Sequence, residues 1–568
     1  MLREYERMLR IIFFSIAGLF VFLGTVGALL LSFGSKTTWM KYPFYAQLIA
    51  GTHQLLVATF GFYLIAFIAG VVGEICKEKV VVVYKQGPDS NLLVPEATTN
   101  AIEKELKEAA AESVSKALDF FNAGKRDFDD RRYSDAARNY EKSIGVFPTK
   151  SGYLNLGNSL FFSNFSQAED AFTSGLQLAR KKRDNKFEAI FLNSVGSVSH
   201  FQGKTKKALD YLEEALSIHK LNKDKYGQAI AYSNMGNVFL RKGDLENALG
   251  SHNKALNIFK KIGDLLGQGI SLVNIGIVWG ERGKLDKAME TFQEASDIHK
   301  EIGDPFLKAT NLDNIGGIYR RQGRLNQALD LHQEALDIHK EKENRFGQAI
   351  ALFNIGVVYS EQGKQDKAMK FFRDAQKIDR DIGNRSGEAD GFNSIGIIQR
   401  KKGNFPQALI SQQHALKIYE QIGDLHGQAG SLNNIGVTYR KQGETKLALK
   451  HLEKALGLAK EYGLQKTEAN SLNNIANVYV DQGELDDALG FFQAASLIYQ
   501  NMGAYLGQAE TLFNVGVVYM KQHNYLESLK TLNQARAICL KIGEKNKTFQ
   551  TIEKLIEWLN NKADKTKA

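Results

Sequence analysis

His219, His299 and His339 are spaced by multiples of forty residues, and imidazole nitrogens are common zinc ligands, so a shared metal is the first chemistry to weigh. The same position in the other units holds Phe259, Asp379, Tyr419, Ala459, Tyr499 and Cys539, which have packing rather than ligation in common. Equivalent helices of successive units stand on the order of 10 Å apart, too far for one ion. His252 and His332 alternate with Phe292 and Phe372 and read as packing residues too. Cys76 and Cys539 have no ligand or redox spacing, and two cysteines in 568 residues make no disulfide framework, as fits a reducing compartment. The glycines form no phosphate loop, and neither a nucleophile elbow nor HExxH is present. The expectation is no enzyme, no metal and no cofactor.

Recognition chemistry is left. Asn393, Asn433 and Asn473 recur at one position of three successive units, with Asn434 and Asn474 beside the last two. Arg400 and Arg440 follow the first two by seven residues, which is two helical turns and hence the same face. Amides paired with guanidinium groups make a polar, locally basic stretch suited to backbone groups and a carboxylate of a bound peptide. A merely solvated helix face is the other reading of these residues.

The elements that must position them follow from the forty-residue period. Asn/Ser-x-Gly/Ala ends at Gly196, Gly236, Gly276, Gly316, Gly356, Gly396, Gly436, Ala476 and Gly516. Alanine recurs twelve residues on, from Ala208 to Ala488 with Ser528 last, and again seven further, from Ala215 to Ala535. Two shorter copies precede these, marked by Gly124, Ala136, Tyr140 and Pro148, and by Gly157, Ala168, Phe172 and Gly175, so eleven units are expected. Glycine inside a helix costs about 1 kcal/mol against alanine. Because Ala476 takes its place once, the requirement is small volume and close helix approach rather than positive φ. A second set, Gly203, Gly243, Gly283, Gly323, Gly363, Gly403, Gly443 and Gly483, falls between helices with capping residues such as Asp244 or Asn404 after it; the last unit uses His523-Asn524. Ile-Gly-Asp/Asn, as at Ile262-Gly263-Asp264, reads as a helix stop and the next N-cap, and Pro305 and Pro406 fall in first helical turns.

This pattern resembles the tetratricopeptide repeat, whose helix pair carries small residues at fixed places, an aromatic after the first, and often a closing proline. The aromatic is Phe239, Trp279, Tyr319, Tyr359, Tyr439, Tyr479 and Tyr519, and Pro148 closes the first unit. The resemblance covers residues 114–544, and Leu432–Gly436 (LNNIG) is similar to the repeats of kinesin light chain and Pins-type adaptors. It implies an all-α, right-handed superhelical solenoid whose first helices line a concave groove for extended or helical segments of other proteins. Asn234, Asn274, Asn314, Asn354, Asn434, Asn474 and Asn514, with Ser194 and Ser394, would then form a ladder along the array. The ladder either bonds adjacent repeats or presents amides to a ligand.

Ile11 to Phe33 and Leu55 to Gly73 carry no charge, and the first is long enough to cross about 30 Å of hydrocarbon. Trp39, Tyr42, Phe44 and Tyr45 between them are interface-seeking, so a transmembrane hairpin is expected, in preference to a cleaved signal. Arg3, Arg7 and Arg10 before it and Lys77, Lys79 and Lys85 after it outnumber Lys36 and Lys41 in the loop, which places both ends and the array in the cytoplasm. Cys76 is then an interfacial thiol, acylated or free. The organisation expected is a membrane anchor over 1–76, a linker and lead-in helix over 77–113 with an extended piece from Val80 to Tyr84, the array over 114–544, and a capping helix with a tail over 545–568. The net charge of +10 is interspersed with acids rather than gathered in a stripe, which excludes nucleic acid as the expected partner. The partners expected are proteins or peptides and the membrane, with oligomerisation open. The function read from this is a membrane-anchored scaffold or adaptor; a peptide-responsive sensor and an assembly or protein-transport receptor share the layout.

Overall fold

The computed structural model describes residues 82–86, 93–97, 102–103, 105–106, 111–129, 132–161, 163–542 and 547–567, all within one compact unit, Val81–Ala568. Both apolar segments and Cys76 lie outside the described residues. Among the described residues, no helix is long and apolar enough to cross a membrane.

The extended piece expected near Val80 is the strand Val82–Gln86, and it is paired, antiparallel with Leu93–Ala97. Pro95, opposite Tyr84, is tolerated because each strand of a two-stranded ribbon has a free edge. Beyond this hairpin the described chain is helical: eleven helix pairs, from Ala111–Asp129 with Tyr133–Val146 to Tyr505–Lys521 with Tyr525–Lys541, and then a terminal helix, Lys547–Lys567.

Small residues do the packing that the period implied. A Cβ on Gly436 would come within 2.6 Å of Leu452 Cγ and 3.1 Å of the Ala448 carbonyl oxygen, and one on Gly276 within 2.6 Å of Phe292. The alanines at the two later phases are buried throughout. Turn glycines have positive φ, as at Gly443 (88°), and His523 takes the same left-handed conformation at 59° where the last unit lacks glycine. Pro305 and Pro406 stand in first helical turns. Asp244 caps its helix by accepting from the Asn247 N–H, whereas Asn404 makes no side-chain cap.

A further recurring pair, Gly-Gln in the first turn of five first helices, links one repeat to the one before. The ring of the preceding second helix lies against the glycine: a Cβ on Gly227 would be 2.1 Å from His219, on Gly347 2.4 Å from His339 and on Gly427 2.2 Å from Tyr419. The glutamine then donates to the carbonyl of that ring residue, Gln228 to His219 at 3.2 Å, Gln348 to His339 at 3.1 Å and Gln428 to Tyr419 at 3.3 Å. His219 and His339 are thus wedges between repeats, and His252 lies against Gly236 as Phe292 lies against Gly276.

First helices of neighbouring repeats touch one another, while second helices mainly meet the first helices on either side, so the first helices occupy the crowded inner side of the curve. The curve is tight enough to bring distant repeats together. Leu425 N–H donates to the Gln202 carbonyl at 3.1 Å, joining repeat nine to repeat three. Arg241 reaches Asp424 at 3.7 Å and Lys466 reaches Glu281 at 3.0 Å.

Candidate functional site

The first helix of repeat eight, Arg385–Lys401, shows what the groove asparagines do. Asn393 Nδ2 donates to Ser431 Oγ in the next repeat at 2.9 Å, Asn433 to Ser471 at 2.8 Å and Asn473 to Thr511 at 2.8 Å. Asn474 donates to Asn433 Oδ1 at 3.4 Å. These four amides bond adjacent repeats, one of the two roles open to the neighbouring ladder. Arg400 donates to the Asn434 carbonyl at 3.2 Å and approaches Thr438 Oγ1 at 3.5 Å, with no carboxylate in ion-pair contact among the described residues. Burial, with Arg440 nearby, brings its pKa down to about 10. Arg440 stands 3.5 Å from Asp481. The two arginines are therefore brought together, and Arg400 is the one whose charge lacks a counter-ion.

Where repeats two and three meet repeats seven and eight, a cavity of about 350 Å³ opens. Phe161, Phe165 and Phe201 form one wall, Phe346, Ile350 and Phe353 the other, and Asp379 and Asp390 line its polar side. Asp379 is buried, and its carboxyl accepts from Asn384 Nδ2 at 2.8 Å. Burial, with Asp390 and Glu388 nearby, pushes it up to about 7 against the effect of that bond. Asp390 is open to water yet enclosed by protein on the inner side of the curve; loss of bulk solvent, reinforced by Asp424, pushes it up to about 6 although Tyr419 donates to it at 2.5 Å and the more distant Arg241 draws it down.

The acids around this pair are compensated. Glu388 is held by Arg380 at 2.8 Å and by Arg385, and Asp424 by Arg241 while capping Gly427 N–H. Desolvation and Arg241 depress the imidazoles at the same seam, His426 to about 3 and His200 well below its ordinary value, so both are neutral. A larger cavity, about 930 Å³, lies between Glu281 and Glu510, but its charges are largely paired, Arg320 with Glu361, Arg321 and Lys466 with Glu281.

A tetratricopeptide repeat model matches residues 227–301, 307–381, 388–461 and 467–550, more than half of the sequence. The chain belongs to the tetratricopeptide repeat family. A model of anaphase-promoting complex subunit 5 also matches over residues 153–242. No curated protein matches the sequence. Among solved structures, the chain is similar to a Rap protein complexed with competence and sporulation factor, at 14% identity over 62% of this chain and 98% of that one, with a TM-score of 0.46. It is similar also to yeast Tom70, at 14% over 79% and 96% (TM-score 0.39), and to a chain of the APC/C hetero-tetramer Cut9-Hcn1, at 13% over 81% and 99% (TM-score 0.39). At such identities the likeness concerns the fold alone.

Within this tetratricopeptide array, Asp379 and Asp390 were not singled out by sequence. The signal that marks them is an acid at a phase held elsewhere by a ring, Tyr419 or Tyr499, or by Ile350. Asp379 has a measurable cost. Its folded pKa, about 7, is above the usual 3.8, so the folded chain holds an extra proton between those values, and the associated stability is lost as pH rises through 7. Asp379→Asn is expected to raise the melting temperature at pH 8 by the equivalent of a few kcal/mol, with the gain shrinking towards pH 5. Thermal denaturation of both chains across that range checks it; a pH-independent difference would remove the buried-carboxylate account.

Proposed function

We propose that the chain is an adaptor, held at a membrane by its two N-terminal apolar segments with the array in the cytoplasm, that captures segments of other proteins along the inner face of its first helices. One observation carries the binding surface. Ala349, Ala389, Ala429, Ala469 and Ala509 are nearly inaccessible in five successive repeats, as packing demands. The residue after each is Ile350, Asp390, Gly430, Asn470 or Glu510, and four of these five are exposed. A row uniform where it packs and varied where it is open leaves the open positions free of the fold's own demands, which supports reading them as the surface that meets a partner. Arg400, Arg440, Asn434 and Asn474 lie on the same first helices, and Arg400 offers a guanidinium to a partner carboxylate.

The test is photocrosslinking in native membranes from the full-length chain. Benzoylphenylalanine at position 470 is expected to give discrete adducts that are absent from position 454 on an exposed second-helix face, in a fraction that resists alkaline extraction. Identical adduct patterns from both positions would sink the groove, and extraction at high pH would sink the anchor.

A further inference from the structure

The cavity walled by Phe161, Phe165, Phe201, Phe346, Ile350 and Phe353 is incomplete on its own terms. Ile350 keeps 41% of its surface accessible, so an apolar wall is left open to solvent. At about 350 Å³ the space falls at the lower end of ligand sites, roughly 300–1,000 Å³, enough for a single large side chain with part of its neighbour. Its polar side is surplus in negative charge. Among the described residues, no lysine, arginine or histidine comes within 4.0 Å of either Asp379 or Asp390, although every other acid at this seam has an arginine. Later in the array other residues fill the same two places: Ala459 and Tyr499 stand at the phase of Asp379, and Gly430, Asn470 and Glu510 at that of Asp390, so two of those three are neutral. The fold itself therefore does not require acids there.

We propose that this cavity receives an apolar side chain of a partner polypeptide with a lysine or arginine next to it in sequence, the apolar group lying on the phenylalanines and the cation on Asp379 and Asp390. The proposal rests on the reading of the inner face as a partner-binding surface and names the chemistry of the partner. A cation supplies the direct ion-pair contact that both carboxylates lack, Arg241 acting on Asp390 only from beyond contact distance, and the aromatic walls favour it further through their ring faces. A neutral neighbour would leave the acids uncompensated, and an acidic one would add repulsion in a confined, poorly solvated space.

The full-length chain is titrated with four acetylated, amidated hexapeptides, Gly-Gly-X-Y-Gly-Gly, in which X-Y is Phe-Lys, Phe-Gln, Phe-Glu or Gly-Lys, and affinity is read by saturation-transfer NMR. The Phe-Lys peptide is expected to bind about tenfold tighter than Phe-Gln, with Phe-Glu and Gly-Lys weaker still. In the double variant Asp379→Asn, Asp390→Asn, that preference disappears while Phe-Gln still binds; in Ile350→Trp, which fills the cavity, no peptide binds. The assignment is overturned by equal binding of Phe-Lys and Phe-Gln to the unaltered chain, by a preference that survives in the double variant, or by no binding at all. The peptides report on the cavity alone, so those results count against it even where the groove crosslinks a partner. Loss of the crosslinks with the Phe-Lys preference intact would instead remove the adaptor reading.

Discussion

Tyr499→Ala is expected to destabilise repeats ten and eleven by about 3–5 kcal/mol and Gly507→Thr by about 1–3 kcal/mol, yet the two together are expected to cost less than their sum. Tyr499 is 5% exposed, and its ring lies where a Cβ on Gly507 would come within 2.6 Å. Removing the ring leaves a cavity, and adding the threonine overfills the same space. The array has already made the exchange once, one repeat earlier: Ala459 is fully buried, and Thr467, eight residues on as Gly507 is from Tyr499, is buried beside the same junction. Neither Ala504 nor Leu464, the residues before the two helices, brings a side-chain cap to complicate the comparison. The coupling between the substitutions should therefore be favourable, within the roughly 0.5–3 kcal/mol typical of contacting residues. Hydrogen exchange of the amides in 485–521 gives the local free energies, which a long array needs because it does not unfold in one step. Strict additivity would mean that ring and glycine do not share the space.

That wedge shows what kind of information the period of the sequence carries. Volume rules repeat in every unit, so Gly436, the two alanine phases, the left-handed turns and even the His523 exception could be read from the period and from one substitution, Ala476. The Gly-Gln wedge recurs in five of the nine forty-residue units, but each copy looks like the polar start of an amphipathic helix until the ring eight residues earlier is placed on it. The asparagines read in sequence as a face for a bound peptide, while their donors meet Ser431, Ser471 and Thr511, hydroxyls that appear 38 residues later each time. Asp379 and Asp390 escaped notice for a different reason. An acid in a helical repeat reads as a solvated residue. What encloses these two is a wall contributed by repeats two and three, and its arrival depends on the pitch of the whole curve, a sum of small rotations that no local pattern states.

Contact between distant repeats also changes what damage at the C-terminus should do. Ile552, Ile556 and Leu559 of the terminal helix are buried against Leu532, Ala535 and Cys539, covering the apolar face that the eleventh pair would otherwise expose. Ile552→Asp with Leu559→Asp is expected to cost this end on the order of 5 kcal/mol, from lost burial and from placing carboxylates against an apolar surface. In an array coupled only to nearest neighbours, loss of protection would spread to repeats eleven and ten and stop there. Here Ile542, 3% exposed, lies against Gly283, where an added Cβ would come within 2.7 Å, so the last repeat also braces the turn of repeat five. Amide exchange in that turn, residues 279–284, is therefore expected to accelerate together with repeats ten and eleven, while repeats one to three keep their protection. Acceleration confined to the C-terminal repeats would show that Ile542 does not brace Gly283 in solution, and the walls of the phenylalanine cavity, built from the same kind of contact, would lose their support with it.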